Sequence, residues 1–196
     1  MPQVFLAIGI LAVSTAPLFI RLAQPTSPIL IAAARVLIAG IVLGLFAGRS
    51  WKRILQLPVK KLALCALAGL ALALHFALWI WSLSLTSTTA SVALVATQPI
   101  FAGILGYLLL KEGFRRQESY GMAIAALGTL VLAGGDLGGT SSDALIGDAL
   151  ALGGAIAVPA YLIIGRALRE DVPLVAYLAL VNLVAGLALL VVGGGI

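Results

Sequence analysis

The sequence predicts an all-α polytopic membrane protein with seven transmembrane helices, and three observations carry that prediction. Hydrophobic residues make up 62% of the chain and charged residues 10%, with a mean hydropathy of +1.19. A soluble domain carries roughly 45–50% apolar and about 25% charged residues, so this chain cannot clothe a globule in polar groups. Seven apolar runs, at 4–20, 29–47, 62–85, 90–110, 120–134, 146–164 and 174–192, approach the roughly 20 helical residues that a hydrocarbon core of about 30 Å requires. The basic residues, finally, fall almost wholly between those runs.

The runs are rich in Leu, Ala, Gly and Val and show no period-two alternation. Helices are therefore favoured over the strands of a barrel. The first run is long enough to span, lacks a basic leader and shows no clear cleavage site, so it reads as a span rather than a removable signal. The fifth is short and must borrow flanking residues. Arg49, Lys52, Arg53, Lys60 and Lys61 lie between spans two and three, Lys111, Arg115 and Arg116 between four and five, and Arg166 and Arg169 between six and seven. The alternate connections hold only Arg21, a bias of ten to one. The positive-inside rule then places the N-terminus in the cytoplasm of a multi-pass protein of the inner (plasma) membrane. The net charge of +5 is thus a topology signal and calls for no nucleic-acid partner.

Small residues recur at helix-packing spacing, at Gly40 and Gly44, Gly103 and Gly106, and Gly121, Ala125 and Gly128. Lipid supplies no hydrophobic drive between helices, so such positions are read as close helix contacts. The single cysteine, Cys65, sits within a span and reads as a small packing residue rather than a redox or metal group.

An internal repeat is visible. Pro17 to Arg21, then Ser27-Pro28, then Leu37-Ile-Ala-Gly40 are echoed by Pro159 to Arg166, Val172-Pro173 and Leu183-Val-Ala-Gly186, with the arginines, loop prolines and Leu-x-Ala-Gly cores offset by 145 to 146 residues. Five spans separate the copies, an odd number, so the second copy would sit inverted in the membrane. Inverted repeats are the architecture of many secondary transporters, which bind substrate near the bilayer midplane at the repeat interface. On this reading residues 1–135 form a first five-helix repeat, 136–145 an external linker, and 146–196 the start of a second. Ten spans are expected in all, so the seven present read as a fragment or truncated product.

Several polar residues interrupt the apolar runs. His75, Trp79 and Ser82 share one face of the third span, and Ser91 and Gln98 one face of the fourth. His75 and Gln98 are equally far from the polar turn 86–90, about 17 Å at ~1.5 Å per residue, which is close to the midplane. They read as a polar wall lining a cavity, or as interhelical hydrogen bonds worth ~0.6 kcal/mol each. Arg35 lies about 9 Å into the second span at the same rise; snorkelling or packing and attraction of an anionic group are both open. Pro17 and Pro159 each remove a helix hydrogen bond and free a carbonyl one turn earlier. Ser14, Thr15 and Tyr161 stand beside them, and the alternatives are a simple kink or a broken helix lining a site. Asn182, in the seventh span, lines the cavity or bonds a neighbouring helix. Glu112 precedes Arg115 and Arg116 by three and four residues, the spacing of a salt bridge that orients a loop, with a gate as the second reading.

These residues resemble the EamA-like branch of the drug/metabolite transporter superfamily. The resemblance rests on Ser27-Pro28 followed by Arg35, Leu83-Ser84-Leu85-Thr86-Ser87 at the hairpin, Gln98-Pro99, Leu109-Leu110-Lys111-Glu112, the glycines Gly121, Gly128 and Gly134, and Gly147-Asp148 with Ala160-Tyr161. It covers nearly the whole chain and is most specific in spans three to five. Two positions depart from the family pattern: Ser14-Thr15-Ala16-Pro17 replaces an aromatic common in the first span, and Pro159 one common in the sixth. The resemblance implies ten spans, a small-molecule substrate such as an amino-acid-like metabolite, and export.

Other classes fit less well. With one histidine, one cysteine and no pair of carboxylates within the spans, no catalytic set is present and no cofactor or metal is called for. A retinal receptor needs a lysine inside a span, and none of the seven runs holds one. A channel is disfavoured by the inverted repeat. The expectation is a permease working by alternating access in the lipid bilayer, with Ser14, Thr15, Arg35, His75, Trp79, Ser91, Gln98, Tyr161 and Asn182 as substrate-binding residues and Pro17, Pro99, Pro159 and Glu112 as hinge or structural ones. Were protons the driving ion, His75 would be the one titratable group at mid-depth in these spans. The alternative is a non-transporting component that acts as a dimer or by pairing with another half-transporter.

Overall fold

The chain's computed structural model describes residues 2–193 apart from Gln24, Glu112, Phe114, Arg115, 137–140 and Arg169. The described residues are helical, with no strand among them. The first span is α1 (Pro2–Leu22) and the second α2 (Pro28–Ala47). Ser27 stands at the N-cap position of α2 without a side-chain capping bond, and Pro28 opens the helix, where a missing N–H costs nothing and the fixed φ suits a helix. A short helix, α3 (Trp51–Leu55), follows in the basic connection and was not expected from the sequence. It is tied back by the Trp51 indole N–H, which donates to the Gly44 carbonyl at 2.9 Å. The third span is α4 (Val59–Leu85), begun after Pro58. It starts earlier than the apolar run, so Lys60 and Lys61 lie in its first turn, at the end of the span rather than within it.

The fourth span divides into α5 (Thr88–Val95) and α6 (Gln98–Leu110). Ser87 caps α5 by accepting from the Ala90 N–H at 3.0 Å, a reliable helix start. Pro99 ends it, because Pro99 has no N–H to give and disfavours α geometry before it. The chain crosses the gap as a tightened turn, with Thr97 N–H donating to Leu94 O at 3.1 Å and Ile100 N–H to Thr97 O at 2.9 Å. The helices α1 and α8 (Ser142–Leu168), by contrast, run unbroken through Pro17 and Pro159. The broken-helix reading therefore fails for those two prolines, and the interruption in the bundle belongs to Pro99.

The remaining spans are α7 (Arg116–Asp136) and α9 (Leu174–Gly193). Five segments are long and apolar enough to cross a membrane: Pro28–Leu55, Val59–Leu85, Thr88–Leu109, Ser142–Leu168 and Leu174–Gly193. The other two expected spans are the helices α1, which holds the apolar stretch Ala7–Leu22, and α7, whose first turn is Arg116, Gln117, Glu118 and Ser119.

At the centre α4 packs on α8 and α9, and α2 packs on α9; α5 and α6 lean on α8, α7 joins α5, and α1 touches α4 lightly. The contacts are made by small residues. Ala32 and Ala33 of α2, Cys65 and Ala68 of α4, and Ala176 and Ala185 of α9 are fully buried. A β-carbon on Gly40 would stand 2.9 Å from the Leu183 backbone nitrogen, and one on Gly186 would overlap the Leu37 side chain. The contact is reciprocal: each Leu-x-Ala-Gly copy sets its glycine against the other copy's leucine, with the helices antiparallel. Gly121 and Gly128 behave differently, with open space where a side chain would be, so the expected close contact of α7 through them is not made with any described residue. Large apolar residues on α1 and α7, such as Leu11, Phe19, Ile124 and Val131, are more than half exposed, as suits helices whose surroundings are lipid.

The two ends of the bundle are tied differently. At the basic end Lys61 pairs with Asp171 at 2.6 Å, both side chains partly exposed, a geometry worth about 0–1 kcal/mol. At the opposite end, beside the α4–α5 hairpin, Thr86 donates to Asp148 at 2.7 Å and Arg21 donates to the Thr86 carbonyl at 2.8 Å. That small network joins α1, α4 and α8. Overpacking a tight contact typically costs 1–3 kcal/mol, so Gly40→Leu and Gly186→Leu are each expected to lower the stability of the detergent-solubilised protein by about that much. Reversible unfolding in mixed micelles measures it, and Gly121→Leu serves as a control expected to change little.

Candidate functional site

A cavity of about 820 Å³ opens at mid-depth and runs toward the hairpin end. Helix α1 contributes Ser14, Pro17 and Arg21 to its wall, α2 contributes Arg35, α4 contributes His75, Phe76 and Trp79, and α8 contributes Val158 and Tyr161. The split fourth span supplies Thr88, Thr89 and Gln98. Gln98 is the first residue after the break, so the interruption at Pro99 falls where the polar wall is. A second, smaller hollow of about 510 Å³ lies between α1 and α2, with Thr15 and Arg35 on its edge.

His75 is held from behind. Its Nδ1 lies 2.9 Å from the Gly154 carbonyl, and since a carbonyl can only accept, Nδ1 carries the hydrogen. The other ring nitrogen, Nε2, is then an acceptor in the neutral imidazole. The approach is close: a β-carbon on Gly154 would stand 3.3 Å from the His75 carbonyl oxygen, a tight contact that a few tenths of an ångström of movement would relieve. The imidazole stacks on Trp79, ring centres 5.9 Å apart and planes 16° from parallel, and leans on Phe76 at 4.9 Å. Arg35 reaches from α2 over the same two rings, its guanidinium carbon 5.0 Å from the Phe76 centroid and 5.3 Å from that of Trp79. Cation–π contacts of this kind contribute ~0.5–2 kcal/mol. Arg35 thus packs over two aromatic rings of α4 at the cavity wall. The indole N–H of Trp79 is buried and has no acceptor among the described residues; an unmet buried donor ordinarily costs roughly 1–3 kcal/mol.

Of the nine residues expected to bind substrate, Ser14, Arg35, His75, Trp79, Gln98 and Tyr161 border this cavity, and Thr15 borders the smaller hollow. Ser91 and Asn182 are placed elsewhere. The Ser91 hydroxyl donates at 2.6 Å to Ser82, which itself donates to the Trp79 carbonyl at 2.6 Å, and both serines are fully buried. Asn182 donates to the Leu178 carbonyl of its own helix at 2.8 Å. Glu112 lies outside the described residues. Tyr161 accepts at its carbonyl from the Tyr177 hydroxyl at 2.9 Å, which joins α8 to α9 just beyond Pro159.

Sequence reasoning missed Arg21, Phe76, Thr88 and Thr89 as wall residues. In the sequence Arg21 reads as a loop charge and a repeat position, and the two threonines as part of a turn, whereas α5 begins at Thr88 and carries them into the span. Phe76 had no signal beyond its place next to His75.

These long apolar helices around an internal cavity with polar groups at mid-depth define a polytopic helical membrane protein. The chain belongs to the EamA-like transporter family, whose sequence profile matches residues 2–134. It is similar to Protein RarD of Streptomyces exfoliatus, with 31% identity over 122 residues, an alignment that covers 60% of this chain and 38% of that protein. The chain thus spans well under half the length of the curated relative it matches. No solved structure matches it. The family is one of transporters.

Ser91→Ala is expected to lower stability by roughly 0.6 kcal/mol, the mean for one interhelical hydrogen bond in a membrane protein, and to leave ligand binding at the cavity unchanged. Gly154→Val, which pushes α8 from α4, is expected to shift the environment of Trp79, read as a change in its fluorescence maximum. An unaltered spectrum would mean that the α4–α8 approach does not hold His75 in place.

Proposed function

We propose that the protein is a permease for small metabolites, of amino-acid-like size, that works by alternating access in the inner membrane with its N-terminus in the cytoplasm. The observation that carries this reading is the mid-depth cavity, walled by helices from both sequence copies and lined by His75, Gln98, Arg35 and Tyr161. Polar and ionisable groups at that depth are costly and mark substrate or ion paths. The reciprocal packing of α2 and α9, Gly40 on Leu183 and Gly186 on Leu37, supports an inverted repeat, because two copies related by a two-fold axis make such self-complementary contacts. The wider fold in this proposal has ten helices in two repeats, and the direction of transport is export.

In such a carrier the reciprocal contact is a pivot, and the Thr86–Asp148–Arg21 network closes the wall on the hairpin side. His75 Nε2 accepts a substrate donor when neutral and becomes a donor when protonated, which makes His75 the proton-responsive group of this wall. His75→Ala is expected to abolish or strongly reduce transport in reconstituted vesicles without altering the amount of inserted protein. Wild-type transport by that variant would remove His75 from the site. Orientation is tested separately: on a Cys65→Ala background, a cysteine at Ser87 is expected to react with an impermeant maleimide added outside cells, and one at Arg53 only after the membrane is opened. The reverse pattern would invert the topology.

A further inference from the structure

The wall of the cavity is unbalanced in charge. It carries the guanidinium groups of Arg35 and Arg21, and no Asp or Glu stands among the described residues that line it. Arg21 is partly occupied by the Thr86 carbonyl. Among the described residues no carboxylate is paired with Arg35; its guanidinium carbon lies over the Phe76 and Trp79 rings, whose faces offer no lone pair, so its N–H donors are left for another acceptor. An arginine inside a span ordinarily finds a partner in the protein or in what passes through. Beside it the Trp79 indole N–H is a second donor without an acceptor among the described residues. Both unmet demands are for electron-rich oxygen. The rest of the wall is uncharged, with the apolar Phe76, Val92, Val95 and Val158 beside the neutral polar Gln98, Thr88 and Thr89, so there is room for an uncharged body and, among the described lining residues, no carboxylate to receive an ammonium group.

From these features we infer that the site selects organic anions, specifically monocarboxylates with an apolar or aromatic body, and that Arg35 is the residue that sets this preference. The inference rests on the permease reading in taking the cavity as the binding site, and it narrows that reading from amino-acid-like metabolites to substrates with net negative charge. The aromatic shelf holds the guanidinium in place before the ligand arrives, so the carboxylate meets an oriented fork rather than a mobile charge.

Four probes with one phenylpropyl-type body separate the alternatives: 3-phenylpropanoate, 3-phenylpropanamide, phenylalanine and 3-phenylpropylamine, titrated into the full chain in nanodiscs with tryptophan fluorescence as the readout. The anion is expected to bind at least tenfold more tightly than the other three. Arg35→Gln should remove that preference, and Arg35→Lys, which keeps the charge but loses the planar fork, should retain part of it. Binding of phenylalanine or 3-phenylpropylamine as tight as that of the anion would overturn the inference, as would an undiminished preference in folded Arg35→Gln or no binding of any probe. Counterflow in proteoliposomes separates this from the permease reading. Anion-selective binding without transport would sink the permease reading alone, and transport that favours the zwitterion or the cation would sink only the anion inference.

Discussion

The close approach of α4 and α8 is the constraint on which the rest of the site depends. Gly154 lets the two backbones come near enough for His75 to donate to its carbonyl, and Gly147 does the same at the hairpin end, where a β-carbon would stand 2.9 Å from Thr86. Apolar side chains in lipid gain little from leaving one hydrocarbon for another, so helix association relies on tight van der Waals contact and on interhelical hydrogen bonds. Glycine serves both, by removing bulk and by exposing a carbonyl to the neighbouring helix. Once α8 lies against α4, the aromatic residues of α4 are turned toward α2, and Arg35 finds its shelf.

The same economy of contact shapes the α2–α9 pair. Buried Ala32, Ala33, Ala176 and Ala185 leave the two helices smooth along one side, and Gly40 and Gly186 take the leucines of the opposite copy. Two short sequence copies that look alike as linear text thus meet in space as complementary surfaces. Helix α1 has no comparable partner among the described residues, and its exposed apolar side chains contrast with the buried Pro17 that it turns to the cavity.

Prolines show how far local chemistry reads through to structure. Pro17, Pro99 and Pro159 all deny the backbone an N–H, yet only Pro99 coincides with an interruption. Pro159 is almost fully buried, where neighbouring helices hold the chain on its course, whereas α1 runs through Pro17 with only a light contact to α4, and nothing in the structure explains that continuity. At Pro99 the preceding Thr97 offers a hydroxyl to the Leu94 carbonyl at 2.6 Å, which satisfies an acceptor that a regular helix would have paired and so stabilises the tightened turn. Ser91 shows the converse case. Its helical face matched that of Gln98, but Ser82 was near enough to claim its hydroxyl.

Hydropathy, loop charge and helical period in the sequence alone determined the helical segments, most of their limits to within a few residues, and the family look of spans three to five. These are properties of a segment against its solvent, and the bilayer reads them one helix at a time. Only the tertiary structure decided which polar groups share a cavity, that Arg35 stacks on Phe76 and Trp79 rather than reaching for the surface, that Arg21 and Thr88 belong to the wall, and that Ser91 and Asn182 do not. Those outcomes depend on which glycines and alanines meet across helices. Small residues are too frequent in such spans for the linear pattern to name their partners.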